Sequence, residues 1–167
     1  ADYLFISAPE NVAWLLNIRG YDNPNSPIPN ARLIIDKDKK FFLITRDNNA
    51  KKIIRERKIK KSQIINIKSL PNLINKLDGA KFVIDNKTCS VFYKKIIKSK
   101  FNILGINDPV YNFKSIKNSC EINHMIQAHK KDGLALTKFI YWIKNINKKI
   151  ITEVDAQNKL EKFRKLN

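Results

Sequence analysis

The sequence predicts an α/β protein: a mixed β-sheet flanked by helices, followed by two helices with no strands of their own. Three observations carry that reading. Short apolar runs alternate with helical patterns up to about Phe113, a polar tetrapeptide joins two of the runs directly, and beyond Phe113 the pattern is helical only. A chain of 167 residues can hold one domain with a real core, or a domain with an appendage.

Tyr3–Ser7 is short and apolar, as a buried strand is. Pro9 then opens a brief helix, with Val12, Ala13, Leu15 and Leu16 expected on its apolar side. From Asn17 to Asn30 the chain carries Gly20, Pro24, Pro27 and Pro29, which require a loop. Arg32–Asp36 and Phe41–Thr45 read as two strands joined by the polar hairpin connection Lys37-Asp38-Lys39-Lys40. Residues 48–58 are expected as a short helix with Ile53 and Ile54 facing inward. Ile64–Ile67 is a further strand, and Pro71–Leu77 a helix opening on proline. Phe82–Ile84 is a strand closed by Asp85-Asn86, and Cys89–Ile97 a helix whose exposed face is lysine. A last strand near Ile103 and Leu104 precedes a turn at Asn107-Asp108-Pro109.

Ile122, Met125, Ile126 and His129 then recur at i, i+3, i+4 and i+7, and Leu136, Phe139, Ile140 and Ile143 repeat the spacing. That periodicity predicts one long amphipathic helix. Gly133 lies inside it at a cost of about 1 kcal/mol relative to alanine, for which a close packing contact is the expected reason. Thr152 is the expected N-cap of a second helix running to Leu166.

Composition excludes several classes. Apolar residues make up 43% of the chain, which a disordered tail does not reach, and no apolar run is long enough to span a membrane. The opening has no charged and apolar leader pattern; it reads as a strand already under way, which suggests a piece of something longer. Cys89 and Cys120 are far apart and lack a CxxC partner, so reduced thiols in a cytoplasmic protein are expected. The net charge of +18 invites a basic binding module for nucleic acid or an acidic partner, kept here as the alternative function. Against nucleic acid, Lys, Asn and Ile supply a little over two in five residues, a pattern that A/T-rich codon usage produces without selection for a ligand. Lysine also greatly outnumbers arginine, the residue of bidentate phosphate and guanine recognition.

No glycine-rich phosphate loop and no GxSxG elbow is present. His124 and His129 are five residues apart, about 140° around a helix of 3.6 residues per turn, so they do not easily grip one ion. His129 continues the apolar stripe and is expected as a packed or interface residue. Two segments remain. Asn17-Ile18-Arg19-Gly20-Tyr21-Asp22 is a glycine turn that an Arg19–Asp22 ion pair would organise. Ala128-His129-Lys130-Lys131-Asp132-Gly133 is the other.

These two segments carry a resemblance. Glu10-Asn11-Val12-Ala13-Trp14-Leu15-Leu16-Asn17-Ile18-Arg19-Gly20-Tyr21-Asp22 is similar to the start of the middle domain in the three-domain form of aminopeptidase P, with Tyr21 where relatives carry serine. Ile116-Lys117-Asn118, Glu121, Met125, Ala128-His129, Asp132-Gly133, Ala135-Leu136, Phe139 and Trp142 resemble the helix that begins that family's catalytic domain, and Thr152-Glu153 through Arg164 the helix after it.

The resemblance implies a division into residues 1–113, a middle domain of creatinase N-terminal type, and residues 114–167, the first helices of a truncated pita-bread catalytic domain. It implies a metallopeptidase that removes an N-terminal residue preceding proline, its partners being peptides with proline in second position and the remaining domains of the same enzyme. Homodimer assembly is a further implication. In that family two Asp, one His and two Glu hold two divalent ions, usually manganese, whose bridging water attacks the scissile carbonyl. Those ligands would lie downstream of this sequence, so this chain is expected to bind no cofactor, to contribute no catalytic or metal residue, and to be inactive alone. Its expected role is to support the catalytic domain and assembly, with Arg19 and Asp22 as candidate domain-contact or pocket-facing residues.

Overall fold

The computed structural model describes residues 1–46, 50, 51, 54, 55, 59–146 and 150–166. The helix expected over 48–58 lies largely outside the described residues, Ile53 with it; Ile54 is half-buried. The chain divides into two compact units, residues 1–115 and 116–167.

In the first unit the described strands are β1 Tyr3–Ile6, β2 Arg32–Asp36, β3 Phe41–Thr45, β4 Ile64–Asn66, β5 Lys81–Ile84 and β6 Asn102–Gly105. They form one mixed sheet in the order β4-β3-β2-β1-β5-β6. The β1–β2 and β2–β3 pairs are antiparallel, while β3–β4, β1–β5 and β5–β6 are parallel. Its helices are α1 Pro9–Leu15, α2 Leu70–Lys76, α3 Val91–Lys98 and α4 Val110–Ser115. The expected mixed sheet flanked by helices is thus the observed architecture.

The period-two geometry of strands explains why this sheet needs helices on both faces. Phe42, Ile34, Phe5 and Ile84 form one row across four strands, on a single face. There Phe5, Ile34 and Ile84 pack with Leu70 and Ile74 of α2 and with Tyr93 and Ile97 of α3. The next residue along each of three strands, Leu43, Leu33 and Ile6, belongs to the opposite face and packs with Val12 of α1 and Val110 of α4. Full burial of each such side chain stabilises the fold by about 1.5–3 kcal/mol. Four rings, Tyr3, Phe82, Phe101 and Tyr93, extend the first core through stacked and edge contacts, among them Tyr3–Phe82 with centroids 5.1 Å apart.

The turn into β5 is tied to the start of β1. Asp2 Oδ2 accepts the backbone N–H groups of Ala80 (2.8 Å) and Lys81 (2.9 Å), and these donors hold its carboxyl below the usual carboxylate range. Gly79, beside that carboxylate, has φ +135°, which side-chain-bearing residues rarely adopt.

Several local expectations are corrected. On α1, Val12 and Ala13 are buried but Leu15 is 39% exposed, and Asn11 takes the inward position instead. The strand from Ile64 stops at Asn66, because the Asn66 side chain accepts the N–H of Lys68 and starts a 3₁₀ turn. α3 begins at Val91 rather than Cys89, and its outer face carries Val91 and Phe92 as well as lysine. Asp108-Pro109 is not only a turn; it leads into α4.

The second unit consists of α5 Ser119–Lys144 and α6 Glu153–Lys165. Both begin with capping boxes: Asn118 with Glu121, and Thr152 with Asp155. They run antiparallel, joined by the Arg164 Nε–Asp132 Oδ1 ion pair (2.7 Å) and by Lys159 over the Trp142 ring (5.3 Å). Gly133 departs from expectation. A Cβ placed there would have no neighbour within 4 Å, so close packing among the described residues does not account for it, and α5 continues through it.

Replacing Ile34 by alanine removes a fully buried side chain from the first core and is expected to cost about 2–5 kcal/mol in urea-induced unfolding. Val91→Ala, on the exposed face of α3, should stay within about 0.5 kcal/mol of the parent chain.

Candidate functional site

The loop between α1 and β2 holds both residues singled out from sequence, and its backbone dictates where they go. Asn17 takes a left-handed conformation (φ 48°) as the chain leaves α1. Gly20 then lies against Pro29: a Cβ would meet the Pro29 Cα at 2.7 Å, and the Gly20 N–H donates to Pro27 O at 2.9 Å. A short bridge between Asn23 and Ser26 closes the tip.

Within this frame Arg19 and Asp22 do not pair. Arg19 Nη1 donates to the carbonyls of Ala13 (3.2 Å) and Ile18 (2.9 Å). Asp22 Oδ2 accepts the Asn30 N–H at 2.6 Å. The physical reason is the end of α1, whose last turn contains no basic residue. Its final carbonyls carry partial negative charge, and Arg19 reaches back to supply the missing cation. Asp22 instead fixes the far end of the loop just before β2. The pair therefore braces the two ends of one loop rather than forming an ion pair, and both residues remain exposed.

Sequence reasoning missed the most buried polar group of this region. Asn11 is fully buried; its Nδ2 donates to Asp108 Oδ2 at 2.7 Å, and its Oδ1 accepts Lys114 Nζ at 2.5 Å. Asp108, also buried, accepts the Val110 N–H through its second oxygen at 2.9 Å. Tyr111 Oη donates to Glu10 Oε1 at 2.9 Å, and Lys114 Nζ lies 4.5 Å from the Tyr111 ring centroid. A buried amide and carboxylate left without partners would each cost the fold several kcal/mol or force protonation. Mutual satisfaction is what lets α4 dock on α1. The available signal was Asp-Pro, an N-cap residue followed by proline at a first helical position.

Beside this set, the Ser7 and Thr88 hydroxyls lie 2.6 Å apart, and Thr88 also reaches buried Asp85 Oδ2 at 3.3 Å. These groups gather where β1 and β5 end, yet each has its partners inside the unit. The arrangement can hold helices and loops in place; it presents no nucleophile–base pair.

On α5, His124 and His129 are both exposed. Among the described residues, no three His, Cys, Asp or Glu side chains converge as a metal site requires. Nor, among them, is any helix long and apolar enough to cross a membrane.

Burial first, and then the Glu10 carboxylate it donates to, push the Tyr111 phenol up to about 12. Stability linked to this shift is present below the unfolded value near 10 and is lost as pH rises through the folded value. Glu10→Gln removes the adjacent charge. Spectrophotometric titration should then show the most alkaline phenol of the chain moving down toward the ordinary tyrosine range.

Comparison with known proteins places this geometry. Residues 1–121 match the family described as Creatinase/Prolidase N-terminal domain. A probable Xaa-Pro aminopeptidase P of Aspergillus fumigatus is 31% identical over 171 residues, covering 95% of this chain and 26% of that protein. Aminopeptidase P2 of Arabidopsis thaliana is 28% identical over 201 residues, covering 98% of this chain and 28% of that protein. The chain thus spans under a third of the length of these relatives. Among solved structures, the X-prolyl aminopeptidase of Caenorhabditis elegans, described as a cytosolic enzyme with a di-nuclear active site, superposes with a TM-score of 0.80 at 22% identity, over 100% of this chain and 28% of that one. The prolidase of Pyrococcus furiosus gives 0.66 at 19% identity, over 99% and 45%. At these identities the structural likeness speaks for the fold.

Proposed function

Because this chain belongs to the Creatinase/Prolidase N-terminal domain family, we propose that it is the non-catalytic portion of a metal-dependent aminopeptidase that removes an N-terminal residue preceding proline. The observation that carries the proposal is the reach of the sequence likeness. The family match ends at residue 121, whereas similarity to a probable Xaa-Pro aminopeptidase P covers 95% of the chain. On this reading residues 1–113 are the middle domain, and residues 114–167 begin the catalytic domain.

The outer face of α5 supports that division. Ile122, Met125 and Ile126 are each close to half exposed, and Leu136, Ile140 and Ile143 continue the stripe. Contiguous apolar surface of this kind marks a face that other residues cover. In the complete enzyme the rest of the catalytic domain would cover it. Arg19 and Asp22, both exposed in the α1–β2 loop, are proposed to face a neighbouring domain. A cytoplasmic location agrees with the description of the Caenorhabditis elegans relative as cytosolic. The two divalent ions, proposed as manganese, belong to the complete enzyme; the described residues of this chain do not converge into such a set, and no catalytic step is assigned to them.

Purified chain incubated with manganese and a peptide bearing proline in second position is expected to release no N-terminal residue. Metal-dependent cleavage by the 167-residue chain would overturn the proposal. In the complete enzyme, Arg19→Ala should alter peptide cleavage or assembly, read by turnover and by size-exclusion chromatography. If it changes neither, the domain-contact role of Arg19 is wrong.

A further inference from the structure

Gly133 has no cause within its own unit. It lies in the interior of α5, so it caps nothing, and its backbone is not in the left-handed region that favours glycine. Among the described residues no atom lies within 4 Å of where its Cβ would be. The chain has only four glycines, and the other three have visible reasons. A Cβ on Gly20 would meet Pro29, one on Gly105 would meet Asn86 Nδ2, and Gly79 has φ +135° beside Asp2. After proline, glycine is the residue that a helix interior tolerates least.

Its place on α5 is specific. At 100° per residue, Ile126, Gly133 and Ile140 follow one another seven apart in one row, within about 40° around the helix. Ile126 and Ile140 are 47% and 43% exposed. A second row, Ile122, His129, Leu136 and Ile143, runs beside the first at the same interval, and neither row contains Lys, Arg, Asp or Glu. Among the described residues α6 meets the other side of the helix, where Ala135 is buried and Lys159 lies over Trp142. The open face is therefore a notch, with two isoleucines ~21 Å apart along the axis and bare backbone midway between them. One element of about 10 Å width fits that gap. The Gly133 carbonyl beside it already accepts the Thr137 hydroxyl at 2.8 Å.

We propose that Gly133 is the point at which an apolar segment of the remaining enzyme crosses α5, its backbone seated against the helix. The proposal rests on the reading of this chain as part of a larger aminopeptidase. The relatives are more than three times as long as the region they share with it, so enough polypeptide lies outside this chain to supply the segment. A missing Cβ lets a second backbone come closer than any side chain would allow. The crossing segment is uncharged where it meets the two rows, because a charge buried there would have no counterpart.

Helix propensity alone makes Gly133→Ala stabilising, and a segment seated on Gly133 reverses that sign. In the complete enzyme, Gly133→Ala is expected to lower the thermal midpoint by about 2 °C or more, and Gly133→Leu to lower it further. In the 167-residue chain, where the notch is open, Gly133→Ala should instead slow amide exchange across α5 about fivefold. A second measurement needs no variant. Met125, the only methionine of this chain and half exposed on the same face, should be oxidised by peroxide about tenfold more slowly in the complete enzyme than in the chain, as mapped by mass spectrometry. A raised or unchanged midpoint for Gly133→Ala in the complete enzyme, or equal oxidation of Met125 in the two proteins, would overturn the proposal. So would a concentration-dependent dimer of the chain that Gly133→Ala disrupts, since the occupant would then be a second copy. Turnover of a peptide with proline in second position is read separately on the parent enzyme: its absence would sink the peptidase reading, while the sign of the midpoint shift still decides the crossing.

Discussion

Strand β1 is the member on which the first unit depends. All four of its residues pair antiparallel with β2 and three of them, Tyr3, Leu4 and Phe5, pair parallel with β5, so it joins the hairpin half of the sheet to the crossover half. Two of those residues serve opposite cores: Phe5 packs toward α2 and α3, Ile6 toward α1 and α4. Because side chains alternate strictly, a slip of one residue in this strand would exchange the two cores at once. The Asp2 carboxylate that receives two N–H groups at the entrance to β5 opposes such a slip.

Polar groups inside the unit follow from the same geometry. The parallel strands β1, β5 and β6 all deliver their following loops to one end of the sheet, and there Ser7, Asn11, Asp85, Thr88 and Asp108 are collected. Their hydrogen bonds close among themselves and with Lys114, so the carboxylates remain tolerable at depth. The result is a rigid brace of α1 and α4. In many α/β proteins the same end of the sheet holds a ligand; here the polar atoms are engaged with one another.

The second unit has different physics. Two helices bury little against each other: Ala135 is the buried residue of α5, and the described part of α6 has none. Their ends are well capped, but a cap secures only a helix terminus and does not cover an apolar face. The Asp132–Arg164 pair joins two roughly half-exposed side chains, and an ion pair of that kind contributes little. An apolar stripe of this extent on so small a unit agrees with the proposal that these helices open a larger domain.

What the sequence by itself determined is what acts over a few residues. Short apolar runs between polar connections located the strands, with Arg32–Asp36 and Phe41–Thr45 found at their expected limits. Helical periodicity and Thr152 located α5 and α6, proline and glycine punctuation located the loop around Arg19 and Asp22, and two short motif blocks pointed to the family. Tertiary structure decided the pairings. Asn11 meets Asp108 and Lys114 across 97 and 103 residues, so nothing near Asn11 in sequence marks it as buried, and Leu15 was expected inward in its place. Arg19 and Asp22, three residues apart, looked like natural partners. The Ala13 and Ile18 carbonyls and the Asn30 amide are better placed, because the close approach of Gly20 to Pro29 sets where the loop can go. Local patterns report which residues avoid water; only the folded chain sets which polar groups come within hydrogen-bonding distance, because that distance is closed by segments remote in sequence.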